Sequence, residues 1–301
     1  MHAHEAIRLD RIVTGVDFHE SSREAALWVI RHFAPEAAHE LIHVVEIPEL
    51  PAPLRALGSN REQLRIAARS GAQHRLEDLR EHAASAQVAI HVREGKPAAE
   101  LLQLAESVAA DLVVVGEQGP TRGLGALLGS TAERVLLHSK VPVLLARKVG
   151  SHPPRRLLVA IDPSDVTDHI LASASALLTR FDATALVLNV VDRLVLFDEL
   201  NALPDAKAFQ GLVDRATVGM EEWLDEKLRA TGLPPSRMQA KVLVGDPSYE
   251  ITAEAARQDA DLILVGSKGG DIARTPLIGR ILNKVVRNSP CSVLVLTRPV
   301  P

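Results

Sequence analysis

Gly116-Glu117-Gln118-Gly119-Pro120-Thr121-Arg122-Gly123-Leu124-Gly125-Ala126-Leu127-Leu128-Gly129-Ser130-Thr131 is the stretch from which the fold can be read. An apolar run, Leu112-Val113-Val114-Val115, leads into it, and a helical pattern, Ala132-Glu133-Arg134-Val135-Leu136-Leu137, leads out. The order is strand, glycine-rich loop, helix. Glycine lets a backbone turn sharply and approach a ligand closely. Ser130 and Thr131 fall where the helix begins, with its unpaired N–H groups and the positive end of its dipole. That geometry favours an anion, most often a phosphate. A single glycine would signal no more than a flexible connection. Gly116, Gly119 and Gly129, followed by Ser-Thr, shift the reading towards phosphate.

The stretch has a partner. Gly266, Gly269 and Gly279 repeat Gly116, Gly119 and Gly129 at a constant offset of 150 residues (266 − 116 = 279 − 129). The preceding strands repeat too, Asp111-Leu112-Val113-Val114-Val115 against Asp261-Leu262-Ile263-Leu264-Val265. So long a period is not a solenoid; it is a duplicated domain. The chain has 301 residues, which suits two domains of common size. We place them at 1–148 and 155–301, with the Gly- and Pro-containing stretch Arg147 to Arg156 as linker.

Hydrophobic residues make up 47% of the chain, so each half can bury a core, and aromatics only 3%, so that core is Ala, Val, Leu and Ile. A net charge of −4 gives no electrostatic reason to expect nucleic acid or an anionic membrane. The single cysteine, Cys291, excludes a disulfide framework within the chain and suits a reducing compartment. Met1 to Glu5 lacks the apolar core of a signal peptide, and no apolar run is long enough to span a bilayer. The expectation is a soluble cytoplasmic protein.

Taken in order, Arg11 to Asp17 is a strand ending in an acid, and Ser21-Ser22 can cap the helix Arg23 to Phe33. Leu41 to Val45 and Val88 to Val92 are further strands, separated by a Pro-rich loop (Ile47 to Asn60) and a polar helix (Arg61 to Ala84). Gly95-Lys96-Pro97 opens another helix, and Val141 to Leu145 follows the glycine loop and its helix as the fifth strand. The second half replays this order from Leu157. Strands alternating with helices predict a parallel sheet covered on both faces. Leu194 to Leu200 is unusually apolar and reads as a buried helix turn or a partner-facing lip.

Two motif matches lose their force in context. His39-Glu40-Leu41-Ile42-His43 fits the zinc-protease pattern, but that chemistry needs a helix. In a strand four residues span roughly 13 Å, too far for one metal, and the repeat puts Ala185 and Asn189 there, so no metal is expected. The dinucleotide-like Gly123-Leu124-Gly125 follows the fourth strand, whereas that fingerprint belongs after the first. Asp17 and Asp162 end the first strand of each half, at the sheet end where open α/β sheets bind ligands. An acid there either accepts hydrogen bonds from a base or sugar, or caps the following helix.

These features resemble a tandem universal stress protein, one family domain per half. The signature of that family is Gly, two residues, Gly, nine residues, Gly, then Ser or Thr, and Gly116, Gly119, Gly129 and Ser130 carry it whole. The resemblance implies two flavodoxin-like α/β domains of the adenine nucleotide alpha hydrolase-like kind, each a five-stranded parallel sheet, paired through their last strands. It implies ATP as the ligand, with or without magnesium. Asp17 and Val44 would contact adenine; Gly116, Gly119, Gly129, Ser130 and Thr131 would hold ribose and phosphates, with Val115 at the strand end beside them. The second half keeps Asp162, Val190, Gly266, Gly269 and Gly279 but has Arg280 where the hydroxyl belongs. Glu117, Arg122 and Gly125 depart from the commoner form of the first loop. The function implied is nucleotide binding as a signal or switch in a cytoplasmic stress response. A nucleotide-independent scaffold is the alternative, and a slow ATPase or autophosphorylating protein a third reading, although no general base or phosphoryl-transfer lysine stands out. A homodimer of tandem chains and an unnamed protein partner are compatible with it.

Overall fold

The computed structural model describes residues 5–46, 61–83, 87–116, 128–192, 206–267 and 279–297. The Pro-rich loop, Gly119, Gly269, most of both glycine-rich loops and the apolar run from Leu194 lie outside these residues. The chain divides into two units, one of residues 8–152 and one of residues 153–301 together with residues 1–7.

In the first unit, β1 (Arg11–Gly15), α1 (Glu20–Trp28), β2 (Ala38–Val45), α2 (Arg61–Ala83), β3 (Val88–Glu94), α3 (Pro97–Ser107), β4 (Leu112–Gly116), α4 (Ser130–His138) and β5 (Val143–Ala146) follow one another. The strands are all parallel in the order β3-β2-β1-β4-β5. Leu112 to Val115 are buried one after another, as a central strand covered on both faces requires. α1 ends in a wider π turn, Val29–Phe33, closed by Ala34 N–H donating to Val29 O at 2.9 Å. Pro35 follows and disfavours helical geometry at Ala34.

The second unit repeats the plan with β6 (Arg156–Ala160), α5 (Thr167–Phe181), β7 (Thr184–Asp192), α6 (Ala206–Ala230), β8 (Met238–Gly245), α7 (Pro247–Arg257), β9 (Leu262–Gly266), α8 (Arg280–Asn288) and β10 (Ser292–Leu296). Its strands are parallel in the order β8-β7-β6-β9-β10. Thr184 follows Ala38 by 146 residues, but Met238 follows Val88 by 150 (184 − 38; 238 − 88). The extra residues of the second half therefore enter chiefly between the second strand and the third.

The repeated acid before β4 and β9 has a structural use. Asp111 Oδ2 accepts from the backbone of Asp10 (3.0 Å) and Arg11 (2.9 Å), and Asp261 Oδ2 from Arg155 (2.8 Å) and Arg156 (2.9 Å). Each acid ties the start of the first strand to the start of its neighbour. Glu5 to Ile7 belong to the second unit rather than to the half they precede. Glu5 O accepts from His169 Nδ1 (2.6 Å), and Ile7 N–H donates to Ser173 Oγ (3.0 Å), both on α5.

One repeated position differs in chemistry. Asp246 caps α7, its Oδ1 accepting from the backbone of Ser248 (2.9 Å) and Tyr249 (3.2 Å). The same place before α3 is Lys96, which makes no capping bond and sets a cation at the positive end of a helix. Lys96→Asp should therefore stabilise the first unit by about 1 kcal/mol, and Asp246→Ala should weaken the second by a similar amount. The Ser248 hydroxyl, then the Tyr249 N–H and Lys284, hold the Asp246 carboxyl below its usual range against the cost of burial. Its contribution is thus complete above the unfolded carboxyl value and is lost as pH falls through the lower folded one. Thermal unfolding across that range should show the deficit of Asp246→Ala shrinking with acid; a Lys96→Asp protein no more stable than the parent would count against the account.

Candidate functional site

In each parallel sheet all strands end at one edge. The strand order reverses between β1 and β4, and between β6 and β9, which opens a crevice there. Asp17, Val44, Val115 and Gly116 stand at the strand ends of the first unit, and Asp162, Val190 and Gly266 at those of the second. Gly129 and Gly279 precede the helices that lead back from the same edge.

β1 reaches its end through Val16, whose N–H donates to Ile42 O at 2.8 Å. Val44 lies two residues further along β2, paired with Arg93 of β3. Ile161 N–H donates to Leu188 O at 3.0 Å in the same way, and Val190 pairs with Leu243. Both valines thus extend past the neighbouring first strand.

The two acids are engaged differently. Asp17 Oδ1 accepts from the Ser22 hydroxyl at 2.5 Å and from His19 N–H at 3.0 Å, closing the turn before α1. Ser21 and Ser22 lie within α1, whose cap position is His19, so the expected serine caps are displaced. Ser22 turns back to the acid instead. The Asp162 carboxylate makes no hydrogen bond or ion pair with a described residue, and Thr167 donates its hydroxyl to the Asp162 backbone carbonyl.

The strand-end glycines also differ. A Cβ on Gly116 would meet Ser22 Cα at 2.8 Å, so α1 crosses β4 backbone to backbone. A Cβ on Gly266 would meet only side-chain ends, Val166 Cγ2 at 3.1 Å and Ile170 Cδ1 at 3.2 Å. At the helix starts, Gly129 (φ −59°) and Gly279 (φ −50°) have angles open to any residue, and neither helix has a side-chain cap. Among the described residues, a Cβ on Gly279 would meet nothing within 4 Å. Ser130 and Arg280 are exposed and Thr131 half-buried.

Three residues not anticipated at the site surround the Asp17 turn. His43 donates through Nδ1 to Val16 O at 2.7 Å. Its ring stacks on Phe18, with centroids 4.3 Å apart, and Arg75 of α2 lies 4.0 Å over the same Phe18 ring. Phe18 has φ +66°, uncommon for a bulky residue. At the place of His43 the second unit has Asn189, whose Nδ2 donates to Ile161 O at 3.0 Å. A polar residue on the second strand, aligned by the offset, was the only sequence trace of this bond. His39, the other histidine of the protease-like match, is buried in β2 and donates through Nε2 to Ala34 O at 3.0 Å. Burial holds both imidazoles below their ordinary value, against their backbone bonds. Among the described residues no group of three or more His, Cys, Asp or Glu is placed to hold a metal.

The pattern of the universal stress protein family matches residues 8–147 and again residues 154–297. A universal stress protein of Mycobacterium tuberculosis is 28% identical over 242 residues, covering 78% of this chain and 80% of that one. One from Methanocaldococcus jannaschii is 36% identical over 169 residues, covering 53% of this chain and 97% of that one. The crystal structure of a universal stress protein from Archaeoglobus fulgidus superposes with a TM-score of 0.67 at 20% identity, covering 97% of this chain and 98% of that one.

Proposed function

We propose, for a chain that belongs to the universal stress protein family in both of its halves, that it binds ATP and uses the bound nucleotide as a signal or switch in a cytoplasmic stress response. The observation that carries this reading is glycine where the fold does not ask for it. Gly279 has an ordinary φ, and a Cβ there would touch no described residue. A side chain at that point would instead stand before the first N–H groups of α8, which lack a side-chain cap. Close approach of an anion gives glycine a purpose there. Gly129 has the same backbone geometry before α4, with Ser130 and Thr131 to add hydroxyl donors. Asp17 or Asp162, just past the end of the first strand, supplies an acceptor for the donors of a base or ribose. Thus each half offers donors for phosphate at a helix start and a carboxylate for the nucleoside. Magnesium, if it accompanies the nucleotide, would be held chiefly by the phosphates.

Freshly purified protein should release ATP or ADP on denaturation, as read by mass spectrometry, and nucleotide-free protein should bind ATP in calorimetry. Protein that carries no nucleotide and gives no heat with ATP would leave the fold as a scaffold for protein contacts.

A further inference from the structure

We infer that His43 is a positioning residue for the first-half site, and that its proton and a bound nucleotide base compete for Asp17. The inference rests on the nucleotide reading above and concerns how that site is regulated.

The geometry comes first. The His43 bond to Val16 O fixes the peptide that immediately precedes Asp17. Its ring supports one side of the Phe18 ring system, and Arg75 supports it again through its guanidinium and through Nη2 to Phe18 O at 3.5 Å. Val16, Asp17 and Phe18 are therefore held as one turn, with Phe18 at a positive φ that needs such support. The second unit keeps the hydrogen bond through Asn189 but has an amide that does not titrate. The two halves thus share the positioning and differ in the proton.

Because Val16 O can only accept, His43 Nδ1 carries a hydrogen whether the ring is neutral or charged, so the bond survives titration. What titration changes is the charge beside Asp17. The charged groups facing the ring are Asp17, from the turn after β1, and Arg75, from α2. On β3, Val92 stands opposite His43, and Glu94 beyond it is held by Arg65 and Arg69. The core around Val16, Ala26, Ile90 and Val92 is apolar. Burial is the largest influence on the ring and favours the neutral form; Arg75 adds to it, while the Val16 bond and Asp17 oppose it.

Asp17 already gives Oδ1 to Ser22 and His19. A base that donates to this carboxylate takes up the charge that supports the imidazolium, so binding expels the proton. By reciprocity the proton weakens binding. The folded ring sits below its ordinary value, so affinity is full near neutrality and above, and falls as pH drops. For one proton the loss is at most about tenfold per pH unit.

The test is ATP calorimetry on the full chain, parent and His43→Asn, at about pH 8 and about pH 5, a range that spans ordinary histidine titration and reaches below it. Titration of ATP itself is common to both proteins and cancels in the comparison. The parent should lose about three- to tenfold more affinity between the two conditions than His43→Asn, which copies the second half and retains a donor to Val16 O. In NMR of the histidine-labelled parent, which needs no variant, saturating ATP should lower the titration midpoint of His43. Equal pH slopes, or a His43 midpoint that ATP does not lower, would overturn the inference and leave nucleotide binding standing. No ATP binding at any pH would overturn both.

Discussion

Gly116→Ala should lower the stability of the first unit by about 2–3 kcal/mol, the range for overpacking a closed site, whereas Gly266→Ala should cost less than about 1 kcal/mol. The added carbon at Gly116 would lie 2.8 Å from Ser22 Cα and 3.2 Å from Ser22 N. Those are backbone atoms of α1, and moving them drags the helix and with it the Ser22 hydroxyl that Asp17 accepts. At Gly266 the neighbours are the ends of Val166 and Ile170, which can yield by small rotations. Alanine also stiffens the unfolded chain, a gain of about 0.4–1 kcal/mol that offsets part of either cost. In a domain of this size about 2–3 kcal/mol corresponds to roughly 5–10 °C in Tm. Calorimetric scans of the two variants decide the matter. If Gly116→Ala melts with the parent yet binds ATP poorly, the glycine serves the ligand and the helix-packing account fails.

Gly129→Val should reduce ATP affinity at the tighter site by about a hundredfold or more, while Gly279→Val should change it little. A valine at the helix start displaces an anion from the N–H groups, and two charge-assisted bonds at about 1.5 kcal/mol each amount to more than a hundredfold. Neither backbone requires glycine, and at Gly279 no described residue crowds the new side chain, so that variant should fold as the parent does. The inequality follows from the next residue. Ser130 is small and can add a hydroxyl, whereas Arg280 is bulky and is expected to crowd the same approach. Two features oppose this ordering. The Asp162 carboxylate is unengaged among the described residues, while Asp17 is partly committed to Ser22; Lys268 also adds charge to the second loop where Glu117 stands in the first. Shape is expected to outweigh charge because occupation of the phosphate position removes several bonds together. Titration of both variants with ATP tests it, and a larger loss in Gly279→Val would reverse the ranking and make Arg280 a phosphate ligand.

The architecture was legible because its signals are local and duplicated. Leu112 to Val115 and Leu262 to Val265 are continuous apolar runs, and a central parallel strand needs nothing further to be recognised. The glycines at a fixed offset marked where each loop begins and ends. The repeat itself could not separate the uses of those glycines, since Gly116 meets the backbone of an approaching helix and Gly266 only side chains. Asp17 posed the same difficulty: both its readings, ligand acceptor and helix cap, draw on one carboxylate, and the structure shows Oδ1 closing the turn before α1, whose cap position is His19. His43 was hidden for another reason. Its partner, Val16 O, is 27 positions away in sequence, and only the register of β1 on β2 brings them together.

The hold of α5 on Glu5 and Ile7 has a consequence for how the chain is made. Glu5 and Ile7 leave the ribosome ahead of the whole of the first unit, but their partners His169 and Ser173 are translated roughly 165 residues later, at separations of 164 and 166. At about 5–20 residues per second that interval is on the order of ten to thirty seconds. All five strands β1 to β5 lie within residues 8–152 and are translated before α5 begins. The nascent chain therefore carries this short segment unsatisfied while the domain after it is made, and the segment must wait for a helix translated long after it.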